Sequence, residues 1–131
     1  MADTGSARYN EAMADTDRVA RWIDGYVRAW NSNDPTDIGA LFTDDAAYHT
    51  APFRTPWRGR QQIIDGWLDR KDEPGEATFE WHLVLDTDDL SVVQGTTTYP
   101  DETFSNLWLI RLDADGRSRE FTEWWMEQPR S

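Results

Sequence analysis

Cysteine is absent from this chain of 131 residues, which excludes disulfide bonds and thiolate chemistry. A protein without disulfides is compatible with a reducing compartment, and we expect a cytoplasmic location. Long apolar runs are also lacking, since none approaches the ~20 residues that a membrane-spanning helix needs. The first 17 residues have neither the basic nor the apolar region of a signal peptide. We therefore expect no membrane association.

Basic residues are scarce. Lys and Arg number 13 against 25 Asp and Glu, which gives a net charge of −12. Proteins that bind nucleic acids or anionic lipids present a basic surface to them, so we expect no nucleic acid as a partner. The excess of carboxylates is typical of a soluble protein with an acidic surface.

The motifs of metal and cofactor chemistry are missing as well. His49 and His82 are the only histidines, and neither has the HxxxH or HxxE spacing of a zinc or iron site. Gly59 and Gly66 are isolated, so there is no glycine-rich phosphate loop, and no G-x-S-x-G motif is present. We expect neither a metal nor a cofactor.

Periodicity divides the chain into a flexible N-terminal arm at residues 1–15 and a single domain at residues 16–131. A helix capped by Thr16 or Asp17 is predicted, because apolar residues recur at steps of three and four. That stripe consists of Val19, Trp22, Ile23, Tyr26, Val27 and Trp30. A short helix is predicted to open at Asp34-Pro35, and a third is predicted over residues 60–70.

The strands follow a period of two. A turn is predicted at residues 43–45, then a short strand at residues 46–50 and a proline-containing loop at residues 51–59. Four consecutive antiparallel strands follow the third helix. An antiparallel sheet with helices on one face is an α+β fold, here a curved sheet wrapped around the N-terminal helices.

The last two strands form a hairpin over Thr103–Pro129, with a tight turn at Asp113–Gly116. We expect Leu112 to pair with Arg117. One face then carries Phe104, Asn106, Trp108, Ile110, Phe121, Glu123 and Trp125, and the other carries Leu107, Leu109, Trp124 and Met126. Because both faces are apolar, we expect both to be covered, one by helices around a cavity and the other by a partner subunit or a crossing strand.

The order of elements, together with three motifs, resembles the nuclear transport factor 2-like superfamily with its cystatin-like fold. The motifs are DPTDIGALFTDDA at residues 34–46, RLDADGR at residues 111–117 and FTEWW at residues 121–125. The chain is most similar to the SnoaL-like branch of polyketide cyclases and ketosteroid isomerases. This resemblance implies a cone-shaped α+β barrel, an apolar pocket at its wide end, and a homodimer packed through the outer face of the sheet.

The same resemblance covers only part of the ketosteroid isomerase chemistry. The family's catalytic tyrosine on the first helix matches Tyr26. The position of the catalytic base falls on or near Thr50, and that of the second catalytic aspartate falls on Trp108. Since two of the three groups are missing, the resemblance argues against steroid isomerisation by that route.

Glu123 and Tyr26 are the catalytic candidates. A carboxyl group among aromatic side chains has its ionised form disfavoured, so we expect a raised pKa for Glu123 and acid–base activity near neutral pH. Alternatively, Glu123 is a structural residue and Tyr26 an ordinary core tyrosine. We expect the ligand-binding residues to be Trp22, Tyr48, Thr50, Trp57, Trp67, Asn106, Trp108, Phe121 and Trp125. Residues Gln94, Thr96 and Thr98 either line the pocket or face solvent.

Three functions stay open at this level. The first is a cofactor-independent isomerase, cyclase or dehydratase that acts on a small, apolar, oxygenated molecule. The second is a protein that binds such a molecule without reaction. The third is a dimeric scaffolding subunit whose cone is filled by its own tryptophans. A cavity of ~300 Å³ or more favours the first two, and a catalytic requirement for Glu123 separates the first from the second.

Overall fold

The computed structural model describes residues 18–71 and 76–129. The helices and strands in these ranges are α1 (18–32), α2 (Pro35–Gly39), β1 (Phe42–His49), β2 (Trp57–Arg58), α3 (Arg60–Asp69), β3 (Thr78–Asp86), β4 (Ser91–Thr98), β5 (Thr103–Leu112) and β6 (Ser118–Glu127). The predicted arm at residues 1–15 and the predicted cap at Thr16 or Asp17 lie outside the described residues. None of the helices described in these ranges combines the length and the apolar character needed to cross a membrane.

All six strands belong to one curled sheet, in the order β2-β1-β6-β5-β4-β3. Strands β3 to β6 are antiparallel neighbours in chain order, as predicted, whereas β1 pairs in parallel with β6. Helices α1 and α3 cover one face, which we call the inner face. Their buried Ile23 and Ile63 join one hydrophobic core with Ile110 and Phe121 of the sheet. The α+β prediction is therefore confirmed.

Strand β1 begins at Phe42, so the turn predicted at residues 43–45 is wrong. Its pairing with β6 is interrupted by a bulge between Phe42 and Ala47, which turns Asp44 and Asp45 to solvent while Phe42 and Ala46 stay buried. Arg60 supports the bulge. Its guanidinium lies 2.6 Å from Asp44 Oδ1 and donates a hydrogen bond of 2.9 Å to the carbonyl oxygen of Phe42.

The turn of the C-terminal hairpin is confirmed. The backbone N–H of Asp113 donates to the carbonyl oxygen of Arg117 at 2.8 Å, and the N–H of Gly116 donates to the carbonyl oxygen of Asp113 at 3.1 Å. Gly116 has a φ of 82°, a left-handed conformation that glycine adopts without steric cost.

The predicted register of this hairpin is wrong by two residues in the body of the strands. Leu112 pairs with Ser118 rather than with Arg117, and one extra residue in β6 places Trp108 opposite Glu123. The extra residue is a bulge, which sequence alternation alone does not reveal. Because the slip is an even number of residues, each side chain keeps the face that the sequence predicted for it.

One carbonyl group joins three parts of the fold. Leu41, between α2 and β1, accepts a hydrogen bond of 2.9 Å from the indole Nε1–H of Trp22 and one of 2.7 Å from the backbone N–H of Ser118. A Cβ at Gly25 would lie 3.0 Å from the Leu41 side chain, so glycine permits this close approach of α1. The carbonyl therefore connects α1, the start of β1 and the start of β6.

We predict that Trp22→Ala and Trp67→Ala each lower the free energy of unfolding by about 3–5 kcal/mol, because both remove a large buried aromatic side chain. Chemical denaturation measures the change. Phe53→Ala is the matched control, since that aromatic side chain is 87% exposed and its loss should leave stability nearly unchanged. Equal midpoints for Trp22→Ala and Phe53→Ala would contradict the role of the α1 stripe.

Candidate active site

A cavity of about 300 Å³ opens between the inner face of the sheet and helices α1 and α3. We call it the aromatic cavity, because eight of its lining side chains are aromatic rings. The lining consists of Tyr26, Trp30, Tyr48, Thr50, Trp57, Trp67, Arg70, Lys71, Thr97, Tyr99, Phe104, Asn106, Glu123 and Trp125. Its volume reaches the lower end of the range of small-molecule sites.

Both predicted catalytic residues line this cavity, as do six of the predicted ligand-binding residues. The six are Tyr48, Thr50, Trp57, Trp67, Asn106 and Trp125. The other three do not line it. Trp22, Trp108 and Phe121 are at most 3% exposed and pack behind the lining, with the ring of Trp22 against the rings of the other two. They form a supporting layer rather than a contact surface.

Glu123 is held by two aromatic donors. The Tyr48 hydroxyl donates to Oε1 of Glu123 at 3.4 Å, and the Trp108 indole Nε1–H donates to Oε2 at 3.2 Å. The Tyr48 hydroxyl also lies 2.8 Å from the hydroxyl of Tyr26. Two phenols and one carboxyl group thus form a continuous hydrogen-bonded chain, which we call the Tyr–Tyr–Glu chain.

Strand pairing explains this arrangement. Glu123 lies on β6, between β1 and β5. Tyr48 of β1 pairs with Phe121, two residues before Glu123 on the same face, and Trp108 of β5 pairs directly with Glu123. Because residues opposite each other on one face have neighbouring side chains, the sheet itself brings both donors to the carboxyl group. Tyr26 completes the chain from α1.

The direction of the Tyr–Tyr–Glu chain depends on the proton of Glu123. An ionised carboxylate only accepts hydrogen bonds, so Tyr48 must then donate to Glu123, and Tyr26 must donate to Tyr48. A protonated Glu123 can donate to Tyr48, which frees the Tyr48 proton for Tyr26. The chain can therefore pass a proton from Glu123 toward the hydroxyl of Tyr26, at the wall of the cavity.

Tyr48 stays neutral over the physiological pH range. Burial raises its pKa well above the ordinary value for a phenol, and the neighbouring charge of Glu123 and the phenol of Tyr26 raise it further. A neutral Tyr48 keeps the proton that it donates. The phenol is therefore a hydrogen-bond donor and a relay, and it is not a base.

Asn106 offers a donor to the cavity. Its side chain is 7% exposed, and its Oδ1 accepts a hydrogen bond of 2.7 Å from Thr97 Oγ1. This bond fixes the amide orientation, so the Nδ2 group is the part that remains available. Among residues 18–71 and 76–129, none accepts a hydrogen bond from Nδ2 of Asn106. A buried amide donor on the lining suits an oxygen atom of a ligand.

Family comparison agrees with this architecture. Residues 19–126 match the model of the SnoaL-like domain. The chain belongs to the SnoaL-like domain family. No curated protein matches it.

Solved structures show the same fold at low sequence identity. An NTF-2-like protein of unknown function from Burkholderia xenovorans LB400 has a TM-score of 0.70 and 10% identity, over 89% of each chain. A putative ketosteroid isomerase from Kribbella flavida DSM 17836 has a TM-score of 0.65 and 18% identity, over 88% of this chain and 82% of its own.

A third neighbour is SalBIII, an epoxide hydrolase/cyclase-like enzyme with a role in pyran ring formation in the polyether salinomycin. Its TM-score is 0.66 at 17% identity, over 88% of this chain and 92% of its own. At these identities the similarities establish the NTF2-like, cystatin-like fold of this SnoaL-like domain.

Six lining residues of the SnoaL-like domain were not predicted from its sequence: Trp30, Arg70, Lys71, Thr97, Tyr99 and Phe104. The alternation of β4 was the missed signal for Thr97. Gly95 lies on the inner face beneath the ring of Phe79, where a Cβ would collide with that ring. Thr97, two residues on, shares the inner face, so Thr96 and its alternating neighbours lie on the outer face.

The two histidines lie away from the cavity. His49 pairs with Thr122 on the outer face, and its Nε2 lies 3.2 Å from Oε2 of Glu120. His82 is exposed on β3, also on the outer face, opposite Gln94. Neither side chain reaches the Tyr–Tyr–Glu chain.

We predict that the contribution of Tyr48 to the stability of the SnoaL-like domain is constant up to about pH 10 and is lost at higher pH. The folded state keeps the Tyr48 proton after the unfolded chain has lost it, so the unfolded state binds fewer protons above that pH. The slope from one such group is at most about 1.4 kcal/mol per pH unit. Denaturation between pH 8 and pH 11 tests this, and a Tyr48→Phe variant with an unchanged slope would contradict it.

Proposed function

We propose that this SnoaL-like domain is a cofactor-independent enzyme that transfers protons on a small, apolar, oxygenated molecule, in an isomerisation, cyclisation or dehydration. One observation carries the proposal: a carboxyl group, Glu123, is held by two aromatic donors on the wall of an aromatic cavity. Such a cavity excludes much of the water around a substrate, and a positioned carboxylate can then act as a general base. Because about 300 Å³ is open, the tryptophans do not fill the cone.

Glu123 is the base in this proposal. The hydrogen bond from Trp108 fixes one oxygen, and the bond from Tyr48 fixes the other, so the carboxylate has one orientation. A fixed base needs little reorganisation when it accepts a proton. The C–H bond of the substrate breaks, its proton moves to Glu123, and the electron pair passes into an adjacent carbonyl group.

Asn106 is the hydrogen-bond donor to the substrate oxygen atom on which the negative charge develops. It lies diagonally across the strand pair from Glu123, because Asn106 pairs with Trp125 and Trp108 pairs with Glu123. Diagonal neighbours on one sheet face are ~7–8 Å apart, which leaves room for a carbonyl group and its neighbouring carbon atom. The Asn106 amide then stabilises the developing oxyanion, as preorganised donors do in other enzymes.

The Tyr–Tyr–Glu chain completes the reaction. Tyr26 gives its own proton to a second position of the substrate, and the proton of Tyr48 replaces it. Glu123 passes the proton that it took from the substrate to Tyr48, so every group regains its starting protonation state. Transfer to a different carbon is an isomerisation, and transfer to a leaving hydroxyl is a dehydration.

Two structural neighbours support this class of reaction. A putative ketosteroid isomerase and an epoxide hydrolase/cyclase-like enzyme share the fold. Acid–base chemistry without a cofactor is common to isomerisation of a ketosteroid and to opening of an epoxide. The likeness favours the reaction class, and the residues that perform it are argued from the cavity of this chain.

We predict that the protein accelerates the elimination of 5-nitrobenzisoxazole, a generic probe for a positioned base, and that Glu123→Gln lowers this rate at least ~100-fold. Absorbance of the phenolate product measures the rate. Glu127→Gln is the matched control, because Glu127 is exposed on the same strand and does not line the cavity. The pH dependence of the same rate tests the raised pKa that the sequence predicts for Glu123.

A different outcome would favour a ligand-binding protein without catalysis. If Glu123→Gln and Glu127→Gln gave the same rate, Glu123 would not be the base. If Glu123→Gln changed only the affinity for the probe, by a factor of a few, the cavity would serve binding alone.

The proposal includes a homodimer formed through the outer face of the sheet. Leu107, Leu109, Trp124 and Met126 share that face, and the last two are 45% and 70% exposed. Monomers rarely leave a contiguous apolar patch of this kind in water. A dimer would cover the patch and leave the aromatic cavity, on the inner face, free for a substrate.

We predict that the wild-type protein sediments as a dimer at micromolar concentration and that Leu107→Glu converts it to a monomer, because a carboxylate in the interface would be buried without a partner. Gln62→Glu is the control, since Gln62 is exposed on α3, which covers the inner face of the sheet. A wild-type monomer at this concentration would refute the dimer.

A further inference from the structure

We infer that the substrate is a carboxylate, whose anionic group lies at the mouth of the aromatic cavity beside Arg70 and Lys71. The inference rests on the proposed function, because it concerns the substrate of the same cavity. It assigns to the substrate an apolar, oxygenated body that faces Glu123 and an anionic end that faces solvent.

The charge of the cavity is opposite to that of the protein. The whole chain has 25 acidic and 13 basic residues. Among the lining residues that lie in the described part of the chain, however, Glu123 is the only acid, whereas Arg70 and Lys71 are both basic. Lys71 is also the only lysine in the sequence. An acidic protein repels anions in general, so a locally basic mouth selects where an anion can approach.

These two cations have no acidic partner in the described part of the chain. Arg60, Arg111 and Arg119 all form ion pairs with aspartate or glutamate. Within residues 18–71 and 76–129, no such pair involves Arg70 or Lys71. Both cations are therefore available to a carboxylate group of a ligand.

Arg70 is held at the mouth of the cavity by a contact with an aromatic ring. Its guanidinium carbon lies 5.7 Å from the ring centroid of Trp57, a cation–π contact. Trp57 is fixed in turn, because its indole lies against Gly66 of α3, where any Cβ would collide with it. Arg70 and Lys71 follow the last turn of α3, where the helix dipole also favours cations. The positive charge of Arg70 is therefore held at the wall of the cavity by its contact with Trp57.

The different exposure of the charged lining residues fixes the direction of binding. Glu123 accepts hydrogen bonds from the buried Tyr48 and Trp108, whereas Arg70 and Lys71 are exposed. A substrate carboxylate near an ionised Glu123 would be repelled, and one near the two cations would be attracted. The anionic end therefore stays outward, and the reacting carbon atom reaches Glu123.

A matched pair of probes tests this inference: 2-naphthoate, an anion, and 2-naphthamide, its neutral counterpart of similar shape. We expect the wild-type protein to bind 2-naphthoate more tightly at low ionic strength, measured through the change in tryptophan fluorescence or by calorimetry. The preference should weaken as salt is added, because both cations are exposed and screened.

Two double variants test whether the preference for 2-naphthoate over 2-naphthamide depends on Arg70 and Lys71. In Arg70→Gln/Lys71→Gln the affinity for 2-naphthoate should fall on the order of three- to tenfold, as for exposed charge pairs, with that for 2-naphthamide unchanged. Arg54→Gln/Arg117→Gln is the control, since it changes the net charge equally and both residues are exposed outside the lining. Lys71→Gln alone leaves the Arg70 contact with Trp57 intact. We therefore expect this single variant to show only part of the loss of affinity for 2-naphthoate.

Three results would overturn the inference: tighter binding of the amide than of the carboxylate, equal losses in the two double variants, or no binding of either probe at millimolar concentration. Glu123→Gln separates it from the proposed catalysis. That variant should keep the preference for 2-naphthoate, because it removes a negative charge and leaves the mouth intact. A carboxylate preference without any catalysed elimination would retain the binding inference and refute the enzyme.

Discussion

The structure depends on the position of β6 between β1 and β5, parallel to one and antiparallel to the other. This double pairing places Tyr48 and Trp108 on the same face as Glu123, one from each neighbouring strand. The side chains of the site are therefore set by backbone hydrogen bonds of the sheet, which are far more rigid than a loop. Any slip of β6 by one residue would turn Glu123 to the outer face and dismantle the site.

Aromatic packing supports the polar chain from behind. Trp22, Trp108 and Phe121 contact one another edge-on or tilted, with ring centroids 5.2–6.3 Å apart. Their indole groups also satisfy buried polar atoms, since Trp22 donates to a backbone carbonyl and Trp108 to Glu123. A buried carboxyl group is costly unless it is hydrogen-bonded. The tryptophans thus form the apolar wall, and Trp108 also donates one of the hydrogen bonds that offset the cost of burying the carboxyl group.

The two faces of the sheet carry their charged groups in different surroundings. On the outer face, Arg111 lies between Asp89 and Glu120, and Arg119, the extra residue of the β6 bulge, also contacts Asp89. These ion pairs are partly exposed and contribute little stability, and they lie on the opposite face of the sheet from the cavity. On the inner face one carboxyl group lies among aromatic rings. The separation lets a strongly acidic protein contain a cavity where Glu123 is the only acid among the lining residues of ranges 18–71 and 76–129.

Sequence alone determined the α+β class, the amphipathic stripes of α1 and α3, the turn at Asp113–Gly116 and the inward face of Glu123, because periodicity and turn chemistry are local properties. It could not place β1 beside β6 or reveal the bulge that sets Trp108 opposite Glu123, because both depend on contacts between distant segments. The hydrogen bond from Tyr48 to Glu123 spans 75 positions. Only the closed sheet brings these groups together, since side-chain alternation fixes a face but never a neighbour.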